Sequence, residues 1–270
     1  MQVAGGVRVL HWIEQLGRRS VAATEELGYA FALLGEALYW LILGRRRRQP
    51  VRLAATFRQM MEIGVLAVPI TTALAFAVGI MLAIQGIHTL RAFGAEDRVV
   101  VGIALSVTRE FAPLIVGILV AGRSGSAIAA RVGTMQVTQE IDALRVIGIS
   151  PVRFLVSPAL VAMLVMVPAL TFYADLVAMF GGAVYSVLEL SLDLPTYLQR
   201  SADALTADDI AQGLWKSLVF AAIIVTVGFI NGFTVRGGAE GVGRATTRSV
   251  VQSISLIIVA DMIFTYFLNR

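Results

Sequence analysis

Five long apolar segments, separated by shorter polar stretches, make up most of the chain. They cover residues 62–87, 99–121, 154–190, 213–235 and 250–268. Because a helix needs about 20 apolar residues to cross a bilayer, the pattern predicts five transmembrane helices. The third segment would be roughly 55 Å long as one helix. Two short spans with a turn near Gly181 and Gly182 are therefore an alternative, which would give six spans.

The N-terminal residues 1–60 follow a different pattern. Residues 27–43 are moderately apolar, carry aromatic residues and Glu36, and are followed by four arginines, Arg45 to Arg48. Since this helix is short for a span, we expect it to lie in the plane of the membrane interface, with a transmembrane position as the alternative. We therefore divide the chain into an N-terminal cytoplasmic or interfacial segment, 1–60, and a transmembrane domain, 61–270.

The distribution of arginine predicts the orientation of these helices. Arginines are concentrated in segments 45–58, 123–153 and 236–248, whereas the segments between them are acidic or mixed. Cytoplasmic loops of membrane proteins concentrate arginine and lysine. Five crossings with a cytoplasmic N-terminus place all three arginine-rich segments in the cytoplasm, and this odd number favours one long third span.

Residues 122–158 are the longest stretch of low apolar content between two strongly apolar segments. Small residues recur at helical spacing in its first half. Such residues let a second helix approach closely. We expect helix packing at Gly122, Gly125, Ser126, Ala129 and Gly133.

The second half of that stretch predicts a short amphipathic helix over about 134–147. Gly148 and then Pro151 supply the expected end of this helix. A polar-faced helix between two spans, on the cytoplasmic side, suits contact with a soluble partner. Its apolar positions are Met135, Val137, Ile141 and Leu144, and its polar positions are Gln139, Glu140, Asp142 and Arg145.

Composition supports an all-α integral membrane protein and excludes several function classes. The chain is 57% hydrophobic and only 15% charged, which is too apolar for a soluble domain. It has no cysteine and two distant histidines, so we expect no metal site. Its single lysine, Lys216, follows Trp215, whereas a phosphate-binding P-loop needs Gly-Lys-Ser/Thr. We therefore expect no nucleotide site and no catalytic residues, and we attribute the arginine run to lipid contact.

Several apolar segments contain charged residues, which are costly in hydrocarbon and normally face a partner or a cavity. Estimated depths place Arg109, Lys216 and Asp261 within the outer ~15 Å of the bilayer. They could meet in one polar chamber that opens away from the cytoplasm. Structural ion pairs, or a Lys216 that snorkels to the interface, are the alternatives. The charged residues at issue are Arg109, Glu110, Lys216 and Asp261.

Residues 108–158, TREFAPLIVGILVAGRSGSAIAARVGTMQVTQEIDALRVIGISPVRFLVSP, resemble the signature region of the MlaE/YrbE permeases, and GRATTRSVV at 243–251 resembles a second family motif. The resemblance extends from about Val51 to the C-terminus. It implies a homodimeric ABC-transporter permease of a bacterial inner membrane. Its implied partners are an ATPase that holds ATP and Mg, a small STAS-domain protein and a periplasmic MCE-domain ring. Such complexes move phospholipids between the inner and outer membranes of a Gram-negative-type envelope and so serve lipid asymmetry.

The resemblance also implies roles for individual residues. The helix around residues 134–146 corresponds to the coupling helix that sits on the ATPase, and the four intramembrane charges match positions that line or brace the lipid cavity. Two residues depart from the family pattern. Arg131 stands where an acidic residue is common, and Ser150 where Asp is common.

A different transport mechanism is the principal alternative. In an ion-coupled secondary transporter, Glu110 and Asp261 would carry protons. However, the sequence has no evident inverted repeat, and the cytoplasmic amphipathic helix would have no role. A membrane scaffold would leave the intramembrane charges unexplained, and no residue set suits an intramembrane hydrolase.

Overall fold

A computed structural model describes residues 24–25, 27–44 and 52–268 of the chain. Within these residues the fold is entirely helical, as predicted. The eleven described helices are α1 Leu27–Leu43, α2 Leu53–Ile63, α3 Val68–Arg91, α4 Val99–Ser106, α5 Ala112–Val120, α6 Ser126–Val137, α7 Glu140–Val146, α8 Ser157–Leu190, α9 Leu194–Ala204, α10 Ala207–Phe233 and α11 Gly238–Leu268.

Several of these helices follow one another directly and form longer helical segments. Turns of 3₁₀-helix at Val65–Ala67 and Glu96–Arg98 adjoin α3 and α4. Turns of π-helix at Val107–Phe111, Ala121–Gly125 and Val152–Val156 connect α4 to α5, connect α5 to α6 and precede α8. Five helical segments are long and apolar enough to cross a membrane: Leu53–Arg91, Glu96–Val137, Val152–Leu190, Ala207–Phe233 and Gly238–Leu268. The prediction of five spans is confirmed.

The third span is a single helix. α8 runs for 34 residues through Pro168, Gly181 and Gly182 without a break, so the alternative of two short spans is wrong. Its two glycines meet other helices: Gly181 lies against the backbone of Phe76 in α3, and Gly182 faces Ile103 in α4 and Tyr197 in α9. α8 packs against α2, α3, α5 and α10 and forms the centre of the fold.

The last span begins earlier than the apolar pattern indicated. Residues 236–248 were expected to form a basic cytoplasmic segment before the last span, but α11 already starts at Gly238, where Gly237 and Gly238 both have positive φ. Hydropathy marks only the part of a helix that lies in hydrocarbon. The polar first turns of α11 are helical because they pack on α6, with Val242 beside Gly133.

The predicted amphipathic helix over 134–147 is wrong as one element, because the chain breaks it in two. α6 ends at Val137, and Gln139 adopts a left-handed conformation with φ of 60° before α7 begins. Met135 therefore belongs to α6. The predicted C-terminal end is confirmed: Gly148 has φ of 77°, and the amide of Ile149 donates to the carbonyl oxygen of Leu144 at 2.9 Å, which is a Schellman end.

α1 is shorter than the five spans and packs by one narrow face. Leu33 and Ala37 are buried, and the Ser157 hydroxyl donates to the carbonyl oxygen of Ala37 at 3.3 Å. Phe31 and Ile42 are each 73% exposed. This one-sided packing suits an interfacial helix, which stays a prediction. The arginines at 45–48 lie outside the described residues.

Candidate functional site

Three of the four predicted intramembrane charges meet in the structure. Lys216 Nζ of α10 lies 2.6 Å from Glu110 Oε2 and 3.0 Å from Asp261 Oδ1 of α11. The Thr265 hydroxyl, one turn after Asp261, accepts from Lys216 Nζ at 3.0 Å and donates to Glu110 Oε1 at 3.0 Å. We call Glu110, Lys216, Asp261 and Thr265 the charge cluster. It joins the second, fourth and fifth spans.

Burial and geometry fix the role of the lysine in this cluster. The Lys216 side chain is 0% exposed, compared with 30% for Glu110 and 15% for Asp261. An ammonium has three donors, and three oxygen atoms lie within 3.0 Å of this one. Two of these contacts are hydrogen bonds, to Glu110 and Thr265, and the third is an ion pair with Asp261. Lys216 therefore does not snorkel, whereas Glu110 keeps an exposed edge.

Arg109 does not join the charge cluster, contrary to the idea of one chamber. Its guanidinium contacts Asp209 Oδ1, with Nε at 2.6 Å and the second nitrogen at 2.5 Å. Neighbouring residues point about 100° apart around a helix, so Arg109 and Glu110 reach different partners. The Asp209 side chain is 4% exposed and that of Arg109 is 37% exposed.

Asp209 and Thr265 were missed by the sequence analysis, although each left a signal. Asp209 also accepts from the amide of Thr206 at 2.8 Å and completes a capping box at the start of α10. The Thr-x-x-Asp spacing is a variant of that motif. Thr265 follows Asp261 by four residues and so shares its helix face.

Both Arg109 and Glu110 lie in the π-helical turn Val107–Phe111. Such turns are rare and are often found at functional sites. Pro113 follows shortly after and has no backbone N–H, so the carbonyl of Arg109 lacks its usual helical donor. The wide turn accommodates this loss and places two charged residues, Arg109 and Glu110, within the second span.

Removal of the Asp209 carboxylate tests the second ion pair. Asp209→Ala should lower the free energy of unfolding by roughly 2 kcal/mol, since it removes a helix cap and leaves Arg109 without its partner. Thermal unfolding in detergent measures this. Asp208→Ala is the matched control, because Asp208 is exposed in the same first turn. An equal loss in both variants would contradict the assignment.

The helix α7 lies within the arginine-rich segment 123–153 and presents charged side chains on its surface. Ile141 is fully buried and anchors it, while Glu140, Asp142 and Arg145 are exposed and Arg145 pairs with Asp142 at 3.2 Å. The following apolar residues are exposed too, Val146 at 87% and Ile147 at 67%. Of the other predicted contact residues, Gln139 is exposed in the turn and Met135 is half-buried against the core.

Only part of the predicted small-residue surface packs within the chain. A Cβ on Gly133 would lie 2.7 Å from Val235, and one on Gly125 3.0 Å from Ile224. Ala129 is fully buried. In contrast, a Cβ on Gly122 would meet no atom within 4 Å, and the Ser126 hydroxyl donates to the carbonyl oxygen of Gly122.

The partner surface on α10 is a second glycine pair. A Cβ on Gly232 would lie 2.6 Å from Val132 and 3.2 Å from the carbonyl oxygen of Ala129, and one on Gly228 would lie 3.1 Å from the carbonyl oxygen of Gly125. Their spacing is a GxxxG motif, which marks close helix contacts in membranes. That motif could have identified the α6–α10 contact from the sequence.

A family model and several known proteins are similar to this chain over most of its length. A model of the family "Permease MlaE" matches residues 56–267. The chain is 33% identical to a "Probable ABC transporter permease protein" of Rickettsia felis, over 95% of this chain and 97% of that relative. It is 27% identical to the "Intermembrane phospholipid transport system permease protein MlaE" of Haemophilus influenzae, over 95% and 97%. "Protein TRIGALACTOSYLDIACYLGLYCEROL 1, chloroplastic" of Arabidopsis thaliana is 34% identical over 78% of this chain and 61% of that relative.

Proposed function

Since this chain belongs to the MlaE permease family, we propose that it is the permease subunit of an ATP-driven transporter that moves phospholipids between inner and outer membranes. The observation that carries the proposal is the family match across residues 56–267. A multi-pass membrane transporter subunit, and not a catalytic enzyme, follows from the family and the five spans. The phospholipid cargo is taken from the name of the Haemophilus relative.

The proposed complex places the remaining functions on partner chains. A separate ABC ATPase would hold ATP and Mg, a second copy of this chain would complete a homodimer, and an MCE-domain ring with a small STAS-domain protein would complete the assembly. This chain would lie in the inner membrane with its N-terminus in the cytoplasm. The arginine-rich segments on one side of the five spans support that orientation.

The exposed face of α7 suits the contact with the ATPase. Because Ile141 anchors α7 to the bundle, a push on Glu140 or Asp142 would move α6 with it. α6 and the turn before it pack closely on α10 through glycine contacts, at Gly125 and Gly232. Motion of α7 would therefore pass as a rigid shift into the second and fourth spans, which also hold Glu110 and Lys216.

The lipid would lie against the exposed apolar faces of the outer helices. α11 exposes Met262 by 64% and Val259 by 50%, and α3 exposes Met81 by 53%. Two copies of this chain could enclose acyl chains between such faces. Lys216 would hold the spans together, since it is fully buried and contacts Glu110, Asp261 and Thr265. The part-exposed Arg109 and Glu110 would be the charges that a headgroup can reach.

Reversal of charge on α7 tests the coupling role. Glu140→Lys and Asp142→Lys should leave the permease inserted but reduce ATP-driven lipid transfer by roughly tenfold, because like charges at an interface weaken it by more than about 1.4 kcal/mol. Lipid transfer and ATP hydrolysis are measured together on the reconstituted complex. ATP hydrolysis should continue while lipid transfer falls.

The control for this experiment makes the same charge change elsewhere on the arginine-rich side. Glu240→Lys lies at the exposed start of α11 and should keep near-normal transfer. Unchanged lipid transfer in both α7 variants would overturn the coupling assignment. An equal loss of transfer in Glu240→Lys would overturn it too, because the loss would then not be specific to α7.

One observation favours a second candidate, an ion-coupled transporter. The charge cluster holds two carboxylates and one ammonium, so one carboxylate is in excess and could carry a proton. The discriminating experiment uses the purified chain alone in vesicles with a pH gradient. Proton-dependent uptake without any ATPase would favour this candidate over the first.

A further inference from the structure

A cavity of about 530 Å³ lies where α1 meets the end of α7 and the turn that follows it. This volume is in the range of sites that hold small ligands. The cavity is far from the charge cluster. Lys216 and Phe233 lie in the same helix, α10, and are separated by roughly 26 Å at 1.5 Å per residue. The residues that matter here are Tyr29, Leu33, Glu36, Arg145, Ser150 and Phe233.

Aromatic and basic side chains place this cavity at the level of lipid headgroups. The guanidinium of Arg153 lies 5.4 Å from the centre of the Trp40 ring, and that of Arg52 lies 5.4 Å from the centre of the Phe154 ring. Aromatic rings collect at membrane–water interfaces, and arginines mark the cytoplasmic one. α1 also carries an exposed apolar side chain, Phe31. A lipid of the cytoplasmic leaflet therefore has direct access.

Glu36 supplies a negative charge on the α1 wall of the cavity. Its Oε1 accepts from the Ser150 hydroxyl at 2.9 Å and from Trp40 Nε1 at 3.2 Å. Both donors are neutral, so they orient the carboxylate and leave its charge in place. No arginine or lysine within the described residues pairs with Glu36, and its Oε2 accepts no hydrogen bond from them.

Arg145 supplies a positive charge on the opposite wall. Its side chain is 61% exposed and contacts Asp142 through Nη1 alone, and an exposed pair of this kind is weak. Tyr29, which is 44% exposed, lies within the field of both charges. Burial raises the pKa of the Tyr29 hydroxyl, while Arg145 lowers it and Glu36 raises it. The carboxylate of Glu36, the guanidinium of Arg145 and the hydroxyl of Tyr29 thus line one cavity that also has apolar walls.

We propose that this cavity binds the headgroup of a zwitterionic aminophospholipid from the cytoplasmic leaflet. The headgroup ammonium would donate to Glu36, and its phosphate would accept from Arg145 and Tyr29. The acyl chains would leave past Leu33 and Phe233 into the bilayer. A purely anionic headgroup would satisfy Arg145 but place its charge beside Glu36. The site does not depend on lipid being the transported cargo, because it lies outside the charge cluster.

The experiment is a titration of the purified full-length chain in detergent with dilauroyl phosphatidylethanolamine, and in parallel with dilauroyl phosphatidylglycerol, read by native mass spectrometry. Glu36→Gln should weaken binding of the ethanolamine lipid about tenfold, since only this lipid has an ammonium. It should leave binding of the glycerol lipid unchanged or strengthen it, because the variant removes the negative charge beside that headgroup. Arg145→Gln should weaken both lipids about equally. Glu240→Gln and Arg244→Gln, an ion pair on α11, are the matched controls and should bind like the parent chain.

A photo-crosslinking amino acid at position 32, which lines the cavity, identifies the occupant in native membranes. A phospholipid adduct supports the proposal. An adduct with residues 1–23 of the chain, or with another protein, would overturn it, because the cavity would then be a protein contact. Equal binding of both lipids by the parent chain and by Glu36→Gln would overturn it as well.

Discussion

Replacement of Lys216 with methionine should lower the free energy of unfolding by about 3–5 kcal/mol, because it leaves two carboxylates in the bundle without their counter-charge. The ammonium is fully buried and contacts Glu110, Asp261 and Thr265. Methionine is similar in length and apolar, so loss of volume contributes little. Thermal unfolding in detergent, together with the yield of folded protein from membranes, measures the effect.

A triple variant separates charge from packing. Lys216→Met combined with Glu110→Gln and Asp261→Asn removes every charge in the cluster and should regain most of the lost stability, as replacement of a whole buried ion pair is often neutral. Arg200→Met is the control for removing a cation, since Arg200 is 40% exposed and lies 3.8 Å from Asp97, and should cost less than about 1 kcal/mol. Equal losses in the single and triple variants would show that the cluster does not act through charge.

Gly79→Ala should destabilise the chain by about 3 kcal/mol, at the upper end of the cost of overpacking. A Cβ at Gly79 would overlap the carbonyl oxygen of Ala178 in α8, and across the same contact one at Gly181 would overlap the carbonyl oxygen of Phe76 in α3. Backbone atoms cannot turn away as side chains can, so α3 and α8 would have to separate. Size-exclusion profiles after heating measure the loss.

The same helix offers the matched control. Gly86 lies two turns further along α3, and a Cβ there would lie 3.5 Å from Val99 Cγ1, an ordinary contact. Gly86→Ala should therefore be neutral or stabilising by up to about 1 kcal/mol through helix propensity. Equal behaviour of the two variants would contradict the close approach of α3 and α8.

The sequence predicted the five spans because each must be apolar over the thickness of the bilayer. It did not predict where they end, since hydropathy carries no information beyond the hydrocarbon, as the early start of α11 at Gly238 shows. The break at Gln139 was missed for another reason. Residues 134–138 contain no glycine or proline, and a left-handed glutamine has no strong sequence signal.

The candidate site was predictable in its residue types but not in its pairing. Charged residues in apolar segments identified Glu110, Lys216 and Asp261, because such residues need partners in a membrane. The assignment of Arg109 to Asp209 depends on which side of the second span each charge faces. Likewise, the packing of Gly125 and Gly133, but not of Gly122, depends on the positions of α10 and of the residues that follow it.

Purification of the chain from its own membranes in mild detergent tests the central proposal most directly, with proteins and lipids identified by mass spectrometry. An ABC-transporter permease that carries phospholipid should copurify with an ATPase chain and an MCE-domain protein, and phospholipid should remain bound after delipidating washes. A chain recovered without any ATPase and without bound phospholipid would contradict the proposed function.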